Sequence, residues 1–391
     1  MSLRKGRVID TVVLTLTSSD FTITDAAKFG PPRTLSYGGE QRIQNATPQE
    51  KREGVTKPAL TWTKRPFGSS SERLRIEVSS IPKMFLGSNL LEVEESDLPA
   101  VVEKWSQVLA EMGVAASPEA LRTAKISKIH FSKNILLPAG MTVSSVLGTL
   151  RRGLTSARRD VRQTEWENEG EGFRRHARDR EVLFYDKLSE MAKARSRLRR
   201  SHNPLSCGLP LNEGLNLPAG SVFRIEVRLN TRRAVKSALR QVGRPFQDPR
   251  LTDVFSEEVS KAILLYELRQ FGDGSLAALP DATPERMLHE LLSGGMKPNL
   301  AFKAMGVAWL ESSITPLGLR RLLREHGVPD AFWYELKRLR RPPLSRTGGE
   351  NVVEMLRRRV EEFQPFRSES SPPGGVQPVE EYYSGTSSAF S

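Results

Sequence analysis

At 391 residues, with 38% hydrophobic content, the chain is long enough for two domains with cores of their own. Its formal charge of +13 points to a polyanionic partner, nucleic acid before membrane, and its bias toward arginine over lysine suits bidentate phosphate contact. One cysteine, Cys207, excludes a disulfide framework and a cysteine-based zinc cluster, which fits a reducing cytoplasm.

The N-terminus, MSLRKGRVIDTVVLTLTSS, sets basic residues ahead of an apolar run. That run is short, is interrupted by Asp10 and lacks a small-residue cleavage site, so it reads as a first strand over 8–16 rather than a leader. No other segment approaches the roughly 20 apolar residues of a membrane span. The expectation is a soluble, intracellular protein. Residues 25–72 are polar and punctuated by Pro31, Pro32, Pro48, Pro58 and Pro66, and read as hairpins and loops rather than helices. LRIEVSS at 74–80 is a strand.

From Glu95 to Met112, Leu98, Val101, Val102, Trp105, Val108 and Leu109 recur at helical spacing. A strand over 125–132 (KISKIHFS) follows, then a segment at 141–160 that starts apolar and helical and ends basic. EVLFYDK at 181–187 is a strand, 188–200 a basic helix, 203–220 a Pro/Gly loop, and FRIEVRLN at 223–230 another strand. Beyond about residue 245 the pattern turns to short helices at 254–270, 284–294, 298–311, 316–326, 330–339 and 350–363. The layout is α+β: an antiparallel-sheet domain over 1–245, an all-helical domain over 246–366, and a disordered Ser/Pro/Gly-rich tail over 367–391.

The strands repeat a pattern. Arg75-Ile76-Glu77-Val78 recurs letter for letter as Arg224-Ile225-Glu226-Val227, and Lys128-Ile129-His130-Phe131 has the same shape. Alternation puts Arg224, Glu226 and Arg228 on one face of their strand and Phe223, Ile225, Val227 and Leu229 on the other. An ordinary antiparallel sheet with one wet face would read the same way.

Tyr185 stands out chemically. A phenol, with a pKa of about 10, needs activation to act as a phosphoryl-accepting nucleophile. Lys187, two residues along the predicted strand and hence on the same face, would favour the phenolate and contact phosphate. Asp186 points the other way. Charge neutralisation on a phosphodiester calls for Mg²⁺ or Mn²⁺ on hard oxygen ligands. Glu77 and Glu226 are the best candidates, Asp10 is a third, and His130 adds an imidazole that would tilt preference toward manganese. Each carboxylate could instead be salt-bridged to a neighbouring arginine.

Arg174, Arg175, Arg178 and Arg180 crowd around the tyrosine strand, with further arginines at 151–152, 158–159, 162, 195, 197 and 199–200. They suit phosphate, while Trp166 and Phe173 suit stacking on unpaired bases. The five histidines form no His-x-His pair, and HExxH, GxxxxGK[ST] and GxSxG are absent. Metalloprotease, P-loop helicase and serine hydrolase readings lose their main support.

Taken in order, these residues resemble the gene II replication initiators of filamentous bacteriophages, the inovirus nicking–joining proteins. Ile9-Asp10 opens the first strand. RIEVSSIPKMFLGSN at 75–89 is similar to the family's strand with a central glutamate and a following Gly-x-Asn turn. KISKIHF resembles an Ile-Ser-Arg-Ile-Asp strand, with His130 where the family has aspartate. Trp166-Glu167 precedes the arginine-rich approach to LFYDK, where Tyr185 matches the nucleophilic tyrosine. FRIEVRLNTR resembles the Arg-Phe-Glu-Ala-Arg strand, and LLREHGVPDAFW at 322–333 resembles part of the family's helical region.

The resemblance implies a replication-initiator nuclease domain ahead of the helices. It implies that Tyr185 attacks a phosphodiester in the plus strand of a double-stranded phage or plasmid-like origin. A free 3′-hydroxyl then primes rolling-circle synthesis while the 5′-phosphate stays on the tyrosine. Glu77 and Glu226 would hold Mg²⁺ or Mn²⁺, Lys187 would activate or orient, and Arg75, Arg224 and Arg228 would clamp phosphate. Implied partners are origin duplex, displaced single strand, and the host helicase, polymerase and single-strand-binding protein, in the bacterial cytoplasm and away from membranes. The competing reading is a non-catalytic origin-binding or repressor-type protein, for which Tyr185→Phe would change nothing.

Overall fold

The computed structural model describes residues 9–36, 38–52, 54–65, 72–138, 141–152, 162–165, 172–177, 179–200, 221–269, 284–314, 322–329, 331–332, 335, 352–364 and 366. Among them, ten strands form one antiparallel sheet in the order β3-β4-β5-β6-β1-β8-β12-β11-β10-β9. Its centre is β1 (Ile9–Thr17) against β8 (Lys125–Leu136). A meander of β3 (Arg33–Thr34), β4 (Glu40–Gln44), β5 (Ala59–Lys64) and β6 (Glu72–Val78) extends it on one side. On the other lie β12 (Val222–Leu229), β11 (Arg180–Asp186), β10 (Gly172–His176) and β9 (Arg162–Glu165). A two-stranded ribbon pairs β2 (Thr22–Ile23) with β7 (Val114–Ala115).

The period-2 pattern decides which face is buried. Val12, Leu14 and Leu16 of β1, Leu74 and Ile76 of β6, Ile129 and Phe131 of β8, and Phe223, Ile225, Val227 and Leu229 of β12 enter one apolar core. Helices cover that face. On α3 (Leu98–Glu111), the residues Val101, Val102, Trp105, Val108 and Leu109 are buried, each worth about 1.5–3 kcal/mol. The predicted helix over 95–112 is therefore present, opened by a 3₁₀ turn at Glu95–Asp97.

Several details depart from the sequence reading. The 25–72 segment does hold hairpin strands, but also a short helix, α1 (Pro48–Arg52), whose first turn carries Glu50. Residues 162–176 contribute the strands β9 and β10, which their polar composition concealed. Most consequential is the segment after 245. Helices α9 (Glu257–Leu268) and α12 (Val352–Glu362) place Val259, Ile263, Leu264, Val353, Leu356 and Val360 in the same core cluster as the strands. The apolar core does not divide at residue 245. Among the described residues, α10 (Pro284–Ser293) and α11 (Pro298–Ile314) build a cluster of their own, around Leu291, Ala301 and Ala304. The predicted helices at 316–326 and 330–339 are described only in part, and the tail over 367–391 lies outside the described residues. No helix among the described residues is long and apolar enough to cross a membrane.

Candidate active site

The second face of the sheet carries the polar residues, and near its centre it is not wet. Arg224 and Glu226 are each 2% exposed and Tyr185 6%. The helix α6 (Lys187–Arg200) covers one end of this face, packing Leu188 and Met191 on Leu90 and Val222. Beside it lies a cavity of about 320 Å³ lined by Asp10, Glu77, His130, Tyr185, Lys187, Arg224, Glu226 and Arg228. Every residue singled out as catalytic or metal-binding lines that one cavity.

Three local devices bring them together. The first is register: Tyr185 of β11 stands opposite Arg224 of β12, and Arg228 opposite His130 of β8, so alternation aims all of them at one face. The second is a bulge. Simple alternation would send Asp10 inward with Val12 and Leu14. Instead Ile9 pairs with Phe131 and Thr11 with His130, leaving Asp10 as the extra residue between them. Such an insertion re-aims a side chain, and Asp10 joins the polar face. The third is a strand-to-helix junction. The tyrosine strand ends at Asp186, and Lys187 is the first residue of α6 rather than a strand residue two along from Tyr185. The expected shared face is thus corrected; Lys187 reaches the cavity from the helix start, its Nζ 6.0 Å from the Tyr185 ring centre.

Glu226 is the hub. Its Oε2 accepts a 2.9 Å hydrogen bond from the Tyr185 hydroxyl, and its Oε1 a 2.7 Å bond from Arg228 Nε. His130 Nδ1 stands 3.5 Å from Oε1 and Arg224 Nε 3.8 Å from Oε2. Arg224 also pairs with Asp10 at 3.0 Å and donates to Asn134 Oδ1 and the Asn89 carbonyl. Ser80, which caps the short helix α2 (Ile81–Leu86), donates to Asp10 at 3.4 Å. At the far side Glu77 is held by Lys128 at 3.0 Å and by Arg75 at 2.9 Å. Lys187 pairs with Glu190 at 2.7 Å.

The electrostatics follow from burial. Burial pushes the Tyr185 phenol well above its ordinary pKa; Arg224 opposes this, while Glu226 and Asp10 reinforce it. Burial alone would raise Glu226, but the His130 hydrogen bond and the charges of Arg224 and Arg228 hold it well below the usual carboxylate range. Burial, then Arg224, lowers the Lys187 ammonium. For Glu77, burial is outweighed by Lys128 and Arg75, and its pKa is lowered. The resting site is a neutral phenol donating to an ionised carboxylate.

The donor set fits a divalent cation poorly as arranged. Asp10, Glu77, His130 and Glu226 share the cavity, yet among the described residues no three His, Cys, Asp or Glu side chains are grouped to hold one ion. Each carboxylate is instead engaged by an arginine or a lysine. The salt-bridged alternative describes all three.

The arginines divide. Arg174 lies on the Tyr185 face and pairs with Glu181 at 2.9 Å. Arg175 and Arg180, expected to bind DNA beside the tyrosine, belong to the opposite face. Arg175 is one residue out of phase with Arg174 and is buried; Arg180 is five residues from Tyr185, an odd number, and binds Glu267 and Gln241. Arg75 borders the site through Glu77. Arg178 and Trp166 lie outside the described residues. The sequence reading missed Asn89, Lys128, Ser80 and Glu190, which line the cavity. Glu190 carried a signal, three residues after Lys187 at helical spacing; Ser80, just ahead of Ile81-Pro82, carried a helix-cap signal.

The open face of the antiparallel sheet thus carries a buried tyrosine–carboxylate–arginine cluster beside a cavity. Residues 65–247 match the family described as the N-terminal part of the replication-associated gene II protein of inoviruses. The match spans Glu77, His130, Tyr185, Lys187, Glu226 and Arg228, and begins after Asp10. No curated protein and no solved structure matches the chain.

Proposed function

We propose that this phage replication protein starts rolling-circle synthesis by nicking and rejoining the plus strand of a double-stranded origin, with Tyr185 as nucleophile. The observation that carries this reading is the 2.9 Å hydrogen bond from Tyr185 to Glu226 inside a cavity that also holds Arg224, Arg228 and Lys187. As Tyr185 Oη bonds to phosphorus, its proton passes to Glu226 and the P–O3′ bond breaks. Lys187 supplies the proton to the departing 3′-oxygen. Arg224 and Arg228 turn from Glu226 toward the phosphate, which neutralises the developing charge and makes Glu226 a stronger base at the same moment. The phosphotyrosine ester keeps the bond energy, so a 3′-hydroxyl rejoins the strand without ATP.

A bound Mg²⁺ or Mn²⁺ would add Lewis-acid charge neutralisation. It would have to displace arginine or lysine from Asp10, Glu77 or Glu226, and no step above depends on it. The partners are origin duplex and displaced single strand, with the host helicase, polymerase and single-strand-binding protein, in the bacterial cytoplasm. The competing reading, a non-catalytic origin-binding or repressor-type protein, draws on the depth at which Tyr185 is buried. Supercoiled DNA carrying the cognate origin, incubated with wild type and Tyr185→Phe with and without each ion, separates the two. Nicked circles bearing 5′-attached protein only with wild type are expected. Nicking by both proteins assigns the reaction to another residue, and binding without nicking by either supports the competing reading.

A further inference from the structure

The opposite side of the sheet, where β11 begins and β12 ends, carries a second cavity, larger than the first at about 830 Å³. Its floor and walls come from α7 (Arg232–Gln241) and from the turn that enters β11. Four of its cations, Arg232, Arg233, Lys236 and Arg240, stand on one side of α7, whose other side buries Ala234, Val235, Ala238 and Leu239. Arg180 is the fifth. Against these stand Asp179 and Asp248 in the lining, and Glu267 bound to Arg180. Cations therefore exceed carboxylates by two. The excess sits where solvent reaches: the Arg233 side chain is 76% exposed, and Arg240 is exposed with no carboxylate partner among the described residues.

This groove is joined to the tyrosine site by a continuous seam. Asn230 Oδ1 lies 3.3 Å from His130 Nε2, and its amide Nδ2 donates to Glu181 on the Tyr185 face. The Asn230 backbone N–H donates to the Asp179 carbonyl at 2.9 Å. The Asp179 carboxylate in turn accepts from Thr231, the cap of α7, and pairs with Arg233 at 3.5 Å. Along β11, Arg180 and Tyr185 are five residues apart, about 17 Å at 3.4 Å per residue. That distance is about five phosphates of one strand at the axial spacing of duplex DNA.

We propose that this groove holds the sugar-phosphate backbone of the DNA flanking the scissile phosphate, as a sequence-independent clamp around the ends of β11 and β12. The proposal rests on the nicking reading for its partner, a DNA backbone, but not on Tyr185 being the nucleophile. Long cations on one helix face with no aromatic or amide side chain among them match phosphate binding rather than base reading.

The test is binding, measured in the Tyr185→Phe background so that no turnover intervenes. Fluorescence anisotropy follows a 30-base-pair origin duplex and an unrelated duplex across a salt series. With Arg233→Ala/Lys236→Ala/Arg240→Ala, affinity is expected to fall tenfold or more at moderate salt, equally for both duplexes. The slope of log K against log salt should flatten by about 2–3, at about 0.9 for each phosphate no longer neutralised. A control, Lys51→Ala/Lys104→Ala/Arg122→Ala, removes as much charge elsewhere and is expected to flatten it by less than about 1. An unchanged slope in the groove variant, or an equal change in the control, overturns the clamp. Failure of the nicking reading shows separately, as origin binding without nicking by the wild-type protein.

Discussion

Two buried charge clusters cross the same central strands and end in opposite conditions. Lys133 and Glu92, 3% and 1% exposed, meet at 2.7 Å. Glu92 also accepts from the backbone N–H groups of Asn134 and Phe366, and Lys133 donates to the Gln364 carbonyl and lies 5.4 Å from the Phe363 ring centre. This pair bolts the end of α12 to β8 and lines neither cavity. In the Arg224–Asp10–Glu226–Tyr185 cluster all but the half-buried Asp10 are buried too, yet the cluster lines a cavity large enough for a phosphodiester. Burial of charge alone does not mark a working site, because a closed ion pair serves the fold. What separates the two is an opening onto the charged atoms.

Variants break this contrast in graded steps. Tyr185→Phe is expected to remove 5′-attached product and cut nicking by on the order of 10⁴-fold or more, since it deletes the nucleophile. Its unfolding free energy in urea should shift by only about 1–2 kcal/mol, because Glu226 keeps Arg228 as a partner. Glu226→Gln keeps the shape and removes the base. Single-turnover nicking should slow by about 10²–10⁴-fold. At the closed cluster the pattern reverses. Glu92→Gln leaves the Lys133 charge buried without its counterion and should cost about 3–5 kcal/mol of stability, read by urea unfolding. Per folded molecule, its nicking rate should stay within about threefold of wild type. A Glu92 variant that nicked poorly while fully folded would erase the contrast.

How much of this was legible in the sequence depends on parity. Arg224, Glu226 and Arg228 alternate cleanly, so their common face could be read directly from FRIEVRLN. Tyr185 was legible as the chemical outlier. Asp10 was legible as a ligand type, but the bulge that turns it outward depends on pairing with His130 and Phe131, which one strand's sequence does not contain. Lys187 was placed on the right cavity by the wrong element, because EVLFYDK gives no sign that the strand ends at Asp186. Arg180 could have been excluded, as its odd separation from Tyr185 puts it on the other face. Arg175 could not, since its inward turn follows from the β10–β11 register. The C-terminal helices looked separable because they lack strands; the apolar residues of α9 and α12 pack on the sheet's own core.

The smallest expected effect is also the most discriminating about the proton. The phenol of Tyr185 is held well above its ordinary pKa, so the phenolate is scarce throughout the neutral range. If nicking waited for spontaneous ionisation, its rate would climb about tenfold per pH unit between about pH 6 and 9. Glu226 is held well below the carboxylate range, so across the same window it is ionised and its readiness to accept a proton does not change with pH. Transfer to Glu226 during attack therefore predicts no rise in rate from about pH 6 to 9, with a fall at the alkaline end where Lys187, whose pKa is lowered, loses the proton it donates. Glu226→Gln takes away that acceptor, and its residual rate should regain the tenfold slope as solvent hydroxide takes over. Single-turnover nicking of a labelled origin fragment at each half pH unit distinguishes the cases. A wild-type slope near one would mean that Glu226 holds the hydroxyl in place without taking its proton, leaving it a positioning residue rather than the base.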